Sequence, residues 1–152
     1  MSRPIVLSIH RRYAEAIAAG TKTFELRRRN LGIRCGDLVL LYETAPDACI
    51  RSAFVAGATL ERPKAAFYDR HHRVLGVERA FYDEYLGDSP SVFATEVLQA
   101  ITFPAIAAAD LEGFTAPQGI LHWRAEWPLP SEASAALAEL EGNSLLGLLL
   151  DG

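Results

Sequence analysis

Residues 20–29, GTKTFELRRR, alternate apolar and polar side chains in the manner of a β-strand. Phe24 and Leu26 fall on one face, and we expect both to enter the core. Glu25 and Arg27 fall on the opposite face, and we expect both to stay outside the core. The stretch therefore predicts a strand with one apolar face and one charged face.

Lys22 falls in register with the apolar face of this strand. To reach Glu25, it must lie at the mouth of the strand or beside a bulge. A lysine and a glutamate held at the mouth of a cleft can form a structural ion pair, bind a phosphate and a base, or share a proton in catalysis. All three interpretations stay open from these residues.

A strand and a helix precede this segment. Residues 3–10, RPIVLSIH, are rich in β-branched and aliphatic side chains and predict a central strand. Residues 11–20, RRYAEAIAAG, place apolar residues at helical spacing and predict a short helix that ends at Gly20. The chain then turns into the strand described above.

The rest of the chain predicts mostly strands with short helical insertions. In chain order we expect a hairpin of residues 36–44 and 49–62 with a bend near Gly57, two short helices in 63–87, a strand in 91–103, a proline-led helix or turn in 104–114, an irregular segment in 115–127 with a helical turn at Trp123, and a helix from Pro128 onward. This order favours an α+β fold on a small mixed or barrel-like sheet, because parallel crossovers are too few for a doubly wound sheet.

The length of 152 residues is that of one compact domain. We expect a core domain at residues 1–127 and a helical extension at residues 128–152. The extension is rich in leucine, including Leu145 and residues 148–150. We expect it to pack on the domain or on a partner.

Composition favours a globular protein of the cytoplasm. Half of the residues are apolar and 22% are charged, no run approaches the roughly 18 apolar residues of a membrane span, and we expect no secretory signal. Cys35 and Cys49 form no CxxC pair, so we expect free thiols rather than a disulfide or a zinc site. Adjacent His71 and His72 point in divergent directions and predict a loop rather than a metal site.

Charge is distributed unevenly along the chain. Residues 1–34 contain eight Lys or Arg against two acids, whereas the remaining residues contain seven basic and seventeen acidic side chains. Such polarity can direct one face toward an anion, or the two ends can attract each other within the fold or across a dimer. Charge alone does not decide between these.

Gly20, Lys22 and Glu25 fit the spacing GxKxxE. With LSIHRRYAEAIAAG before it and GDLVLLYE and GFTAPQGILHW after it, this motif resembles the activating signal cointegrator homology (ASCH) family of the pseudouridine synthase and archaeosine transglycosylase (PUA)-like superfamily. The resemblance covers roughly residues 5–125. It implies a small PUA-like mixed β-barrel flanked by short helices, whose cleft binds RNA, another nucleic acid or a nucleoside-sized ligand, with Lys22 and Glu25 on its floor.

Some members of this family are enzymes that cleave RNA or remove an acyl group from N4-acylated cytidine. In the amidohydrolase branch a threonine nucleophile follows the motif lysine by three positions, and in this chain that position is Glu25. A carboxylate cannot replace a hydroxyl without a different mechanism. The departure therefore disfavours the amidohydrolase activity.

The leading hypothesis is an RNA-binding or nucleotide-recognising ASCH domain protein. Arg27 is the best candidate for a forked phosphate contact, Arg28 points the other way, and Tyr13 is either a stacking surface or part of the core. The candidate ligand-binding residues are Lys22, Glu25, Arg27, Arg29, His10, Arg11, Arg12, Tyr13 and Gln118, and Lys22 and Glu25 are the catalytic candidates if the protein is an enzyme.

Two rival hypotheses come from other classes of protein. One is an enzyme that acts on RNA or on a modified nucleoside, with Lys22 and Glu25 as acid–base groups. The other is a protein-interaction module that forms a homodimer through its leucine-rich tail. We expect no cofactor, metal or membrane in any of the three.

Overall fold

The computed structural model describes the backbone of residues 3–151 and the side chains of residues 3–142. Within this part of the chain the elements are, in order, β1 (Pro4–Ile9), α1 (Arg11–Ala19), β2 (Phe24–Arg27), β3 (Leu38–Glu43), β4 (Cys49–Pro63), α2 (Lys64–His71), α3 (Arg79–Leu86), β5 (Ser91–Ala107), β6 (Ile120–His122) and α4 (Ser131–Asp151).

All six of these strands belong to one mixed sheet in the order β2-β5-β4-β3-β1-β6. β1 runs parallel to β3, and the other neighbouring pairs are antiparallel. The predicted α+β class is confirmed. The sheet curls like a barrel and brings its two ends together. Arg27 lies on β2, at one end of the strand order, and donates a hydrogen bond of 2.7 Å to the carbonyl of Ser8 on β1, near the other end.

β1 and α1 follow the sequence pattern. Ile5, Leu7 and Ile9 pack with α1 in one apolar cluster, and Val6 belongs to a second cluster with α4. α1 ends at Gly20, whose φ of 81° lies in the left-handed region that glycine adopts without strain. The turn at Gly20 leads the chain directly into the GxKxxE segment.

β3 and β4 form the predicted hairpin, and β4 bends at Gly57. Its register with β5 shifts just before this residue, between Val55 and Ala56, and again across it, between Ala56 and Thr59. A Cβ at Gly57 would lie 2.9 Å from the Cβ of Glu96 on β5. Only glycine therefore allows the two strands to approach so closely at the bend.

The segment between β4 and β5 forms the two predicted short helices, α2 and α3, joined by a 3₁₀ turn at His72–Val74. Phe67, Leu75, Tyr82 and Leu86 of this insertion pack in one buried cluster with Leu26 of β2. The insertion thereby covers the apolar face of the first strand of the sheet.

Two segments differ from the sequence-based prediction. The chain continues β5 through Pro104 to Ala107, where the helix or turn was expected to begin, because Ile106 and Ala107 pair with the start of β4. Pro104 lies at a register shift of this pair, where a missing N–H is tolerated. A 3₁₀ turn follows at Ala108–Asp110, within the range expected for the helix or turn. Residues 120–122, expected to be irregular, form β6 by pairing with β1. In both cases backbone pairing with a distant strand overrides the local signal.

The helix expected from Pro128 onward is α4, which begins at Ser131. Ala133 and Ala136 are buried against the cluster that contains Trp127, and Leu137 and Leu140 pack against the same cluster. Leu145 and the leucines after it lie outside the described side chains, so a homodimer through this tail stays a prediction. Within the described residues, no helix combines the length and apolar character needed to cross a membrane.

Candidate functional site

A cavity of about 220 Å³ opens where α1, β2 and α3 meet the carboxyl end of β1. α3 is far from the other three elements in the sequence, so the complete cavity exists only in the folded chain. Its wall is formed by Ser8, Ile9, His10, Tyr13, Lys22, Glu25, Leu26, Arg27, Thr44, Val77, Phe81, Tyr82 and Tyr85.

Lys22 lies at the mouth of β2, two residues before the strand begins, and is only 3% exposed. Its Nζ donates a hydrogen bond of 2.6 Å to the carbonyl of Leu75 and lies 5.5 Å from the ring centroid of Tyr13. Burial lowers the pKa of Lys22 from its ordinary value of 10.5, and the negative charge of Glu25 opposes this effect. The side chain fastens the helical insertion beside the cavity and keeps N–H groups for further partners.

Glu25 forms its ion pair with Arg27 and not with Lys22. The Nε of Arg27 donates to Oε1 of Glu25 over 2.9 Å, while its Nη2 donates to the carbonyl of Ser8. Glu25 is only 5% exposed, and its Oε2 is buried without a hydrogen-bond partner among the described residues. The carboxylate therefore has unused capacity to accept a hydrogen bond at the cavity wall.

The charged face of β2 stays outside the apolar clusters, as expected, but at Glu25 it is buried rather than exposed to solvent. Because the sheet curls and α3 lies against its first strand, this face lines an internal cavity. Arg27 also makes more contacts within the protein than expected for a phosphate-binding side chain, since two of its nitrogens already donate hydrogen bonds to Glu25 and Ser8. A forked phosphate contact by Arg27 would have to compete with these bonds.

Aromatic side chains form one side of the cavity. Tyr13 comes from α1, and Phe81, Tyr82 and Tyr85 come from α3. Tyr82 is buried and donates its hydroxyl to the carbonyl of Lys64 over 2.7 Å, and burial raises the pKa of Tyr82 to about 12. Phe81 is 39% exposed, and its ring is nearly parallel to that of Tyr85. The wall therefore offers ring faces to a flat ligand.

Two exposed arginines stack on these rings from outside the cavity. The guanidinium carbon of Arg12 lies 4.8 Å from the ring centroid of Tyr13 and 5.8 Å from that of Phe81. The guanidinium carbon of Arg28 lies 5.6 Å from the ring centroid of Tyr85. Arg28 follows the last residue of β2, so strand alternation no longer fixes its direction and it reaches the mouth of the cavity.

The structure brings five of the nine candidate residues together. They are His10, Tyr13, Lys22, Glu25 and Arg27, all of which line the cavity. His10 directly precedes α1, and the other four come from α1 and from the GxKxxE segment with its following arginine. Lys22 and Glu25 of the motif therefore both line the cavity.

The other four candidates lie elsewhere. Arg11 is exposed and pairs with Glu15 over 2.7 Å and with Asp47 over 3.2 Å. Arg29 borders a separate small depression, and Gln118 is exposed in the loop before β6. Arg12 stacks outside the cavity, as described above.

Sequence reasoning missed the wall that α3 contributes. The spacing of Phe81 and Tyr85 by four residues places both on one helix face, and this was a readable signal. The pattern does not say which element that face meets. Among the described side chains, no three His, Cys, Asp or Glu converge as a metal site requires.

Comparison with known proteins agrees with this architecture. The family model described as ASCH domain matches residues 7–129. The crystal structure of ASCH from Zymomonas mobilis superposes with a TM-score of 0.74 at 22% identity, over 91% of this chain and 95% of that chain. Two mutant ASCH proteins from the same organism superpose with a TM-score of 0.73 at 22% identity, over 91% of this chain and 96% and 98% of those chains.

A search of curated proteins found no match. The likeness to the solved structures shows the fold, and the family model spans most of the sequence. The chain belongs to the ASCH domain family.

Proposed function

We propose that the protein binds RNA or a nucleoside by taking one base with its sugar into the cavity. The unpartnered Oε2 of Glu25, buried beside an aromatic wall, carries this proposal. A buried carboxylate oxygen without a hydrogen bond is costly. A ligand that donates an N–H or O–H group from inside the cavity removes that cost.

The size and lining of the cavity support a ligand of this class. Its volume of about 220 Å³ is below the roughly 300–1,000 Å³ of pockets for larger small molecules. Tyr13 and Tyr85 offer faces on which a base can stack. Glu25 supplies an acceptor and Lys22 supplies donors, which matches the adjacent donor and acceptor atoms on the edge of a base.

Glu25→Gln tests the proposal with little change of volume. Because the Nε of Arg27 donates to Oε1, the glutamine is expected to turn its amide oxygen toward Arg27 and its NH₂ group toward the position of Oε2. The variant thus places a donor where the ligand needs an acceptor. Glu15→Gln is the control, because Glu15 is an exposed acid on α1.

Isothermal titration calorimetry with adenosine, cytidine, guanosine and uridine measures the effect. We expect the wild-type protein to bind at least one nucleoside, and Glu25→Gln to weaken that binding by at least about tenfold. Glu15→Gln should bind like the wild type. Failure of all four nucleosides to bind, or unchanged affinity in Glu25→Gln, would contradict the proposal.

Cleavage of the bound RNA is a second candidate function, favoured by the lowered pKa of Lys22. The lowered value increases the fraction of neutral amine, which can accept a proton from a ribose 2′-hydroxyl. Incubation of RNA and DNA oligonucleotides with the wild-type protein and with Lys22→Arg tests this candidate. Cleavage confined to RNA and lost in Lys22→Arg supports it, and intact RNA with the wild-type protein excludes it.

A cytoplasmic location belongs to the same proposal. Cys35 and Cys49 are both free thiols, and thiols stay reduced in the cytoplasm. Recovery of the protein in the soluble cytoplasmic fraction of fractionated cells is the expected result, and recovery from an oxidising compartment would contradict it.

A further inference from the structure

The mouth of the cavity carries more aromatic rings and cationic groups than one nucleoside can contact. The rings of Tyr13, Phe81 and Tyr85 follow one another there, with centroid distances of 5.9 Å and 6.3 Å between successive rings. Arg12 stacks at the Tyr13 end and Arg28 stacks at the Tyr85 end. We call these five residues the arginine–aromatic row.

The two arginines of the row carry positive charge that the described part of the chain does not pair. Neither forms a salt bridge with a described carboxylate. Arg12 uses one nitrogen to donate to the hydroxyl of Tyr13 over 2.6 Å. A guanidinium that stacks on a ring keeps the N–H groups of its edge, which are the groups that bind a phosphate.

Arg79 on α3 provides the contrast. It is also exposed and also stacks on a ring, that of Tyr68. Its guanidinium, however, pairs with Asp69 over 2.7 Å and with Asp83 over 3.8 Å. The unpaired Arg12 and Arg28 therefore stack on rings that line the cavity, whereas the paired Arg79 stacks on a ring that does not line it.

The exposed ring of Phe81 adds a stacking surface beside the cavity. It is 39% exposed and lies parallel to Tyr85, with an interplanar angle of 4°. Aromatic faces of this kind stack unpaired bases with little dependence on sequence. A base in the cavity and a second base on Phe81 would be neighbours in one strand.

We propose that the arginine–aromatic row binds single-stranded nucleic acid, with Arg12 and Arg28 on the phosphates that flank the nucleotide in the cavity and Phe81 under the adjacent base. This inference rests on the proposed function and names a polynucleotide, rather than a free nucleoside, as the ligand. A base paired in a duplex cannot enter the cavity, so the strand must be unpaired at this position.

Binding of the full chain to matched short probes tests the row. The probes are the nucleoside that binds tightest and the homotrinucleotide of the same base with phosphates at both ends, in ribo and deoxyribo form. The variants are Arg12→Gln and Arg28→Gln, which change no residue that lines the cavity. Arg79→Gln is the control, since it removes an exposed and already paired arginine.

We expect the trinucleotide to bind at least about tenfold more tightly than the nucleoside. Arg12→Gln and Arg28→Gln should each weaken trinucleotide binding several-fold and lower the slope of log affinity against log salt by about 0.7. Both variants should bind the nucleoside like the wild type, and Arg79→Gln should bind both probes like the wild type. Preference for the ribo form identifies RNA as the strand, and equal affinity for both forms identifies any single strand.

Equal affinity for nucleoside and trinucleotide would overturn the inference while leaving the proposed function in place. Loss of trinucleotide binding to the same extent in Arg79→Gln would overturn it as well, because the effect would then follow net charge rather than the row. Failure of both probes to bind the wild-type protein would overturn the proposed function itself, which is a distinguishable result.

Discussion

Arg27 holds the carboxylate of Glu25, two residues before it on β2, at a distance of 2.9 Å. The same guanidinium reaches the carbonyl of Ser8 on β1. One arginine therefore bridges two strands that are distant in the sheet order and fixes the carboxylate at the wall of the cavity. The pair therefore connects the two strands and also positions the carboxylate that we propose as the ligand-binding group.

Arg27→Ala should lower the free energy of unfolding by about 1–3 kcal/mol, because it leaves a buried carboxylate without its counter-charge. The loss is expected to be smaller than that of a fully buried pair, since the side chain of Arg27 is 21% exposed. Urea unfolding measures it. Arg29→Ala, which removes the exposed arginine two residues later, should cost less than about 0.5 kcal/mol. Equal losses in the two variants would contradict the structural role of the pair.

Lys22→Met should reveal a pH-dependent contribution of Lys22 to stability. Burial lowers the pKa of Lys22 in the folded protein, so between that lowered value and the ordinary value of 10.5 the unfolded chain binds more protons than the folded one. The free energy of unfolding of the wild type, relative to Lys22→Met, should therefore rise with pH in this window, by at most about 1.4 kcal/mol per pH unit.

Urea unfolding of both proteins between about pH 7 and pH 10 measures this difference, and all other titrating groups cancel in it. A difference for Lys22→Met that is constant or falls as the pH rises would contradict the assignment.

Gly76→Ala should disturb both stability and the cavity. Gly76 has a φ of 69°, and a Cβ at this position would lie 3.2 Å from the side chain of Lys22. Gly32 also has a positive φ, 79°, but a Cβ there meets no atom within 4 Å. Both substitutions should cost about 1–2 kcal/mol of backbone strain. Gly76→Ala should lower the free energy of unfolding by more than this strain and should also weaken nucleoside binding, whereas Gly32→Ala should do neither. Equal effects of the two substitutions on urea unfolding and on nucleoside affinity would contradict the contact with Lys22.

The two cysteines, which are free as predicted, should differ in reactivity. Burial, reinforced by the negative charge of Glu43, raises the pKa of Cys49, whereas Cys35 is exposed. Because iodoacetamide reacts with the thiolate, Cys35 should be alkylated first and Cys49 several-fold more slowly near pH 8. Peptide mass spectrometry follows the two sites separately. Faster alkylation of Cys49 would contradict its placement.

Much of the fold could be predicted because its elements have strong local signals. The β-branched and aliphatic content of residues 4–9 and the glycine that ends α1 are read directly from the sequence. The end of β5 and the whole of β6 could not be predicted, because Pro104 and the short segment 120–122 become strands only through pairing with β4 and β1. Such pairing depends on segments far away in the chain.

The candidate site was predictable in the same uneven way. The GxKxxE spacing identifies Lys22 and Glu25 as candidates. Alternation along the strand shows only that Glu25 lies on the face opposite Phe24 and Leu26, and does not show that it is buried. Its burial depends on the curl of the sheet and on α3, which the hydrogen bond from Lys22 to Leu75 helps to hold in place. The ion-pair partner of Glu25 could not be predicted from the sequence either, because spacing does not distinguish Lys22 from Arg27 as the nearest cation.

A crystal structure of the protein with its tightest-binding nucleoside tests the central claim most directly. The account predicts the base inside the cavity, stacked against the aromatic wall, with an N–H or O–H donor within about 3.2 Å of Oε2 of Glu25. A nucleoside bound outside the cavity, or one inside it that leaves Oε2 of Glu25 without a partner, would contradict the account.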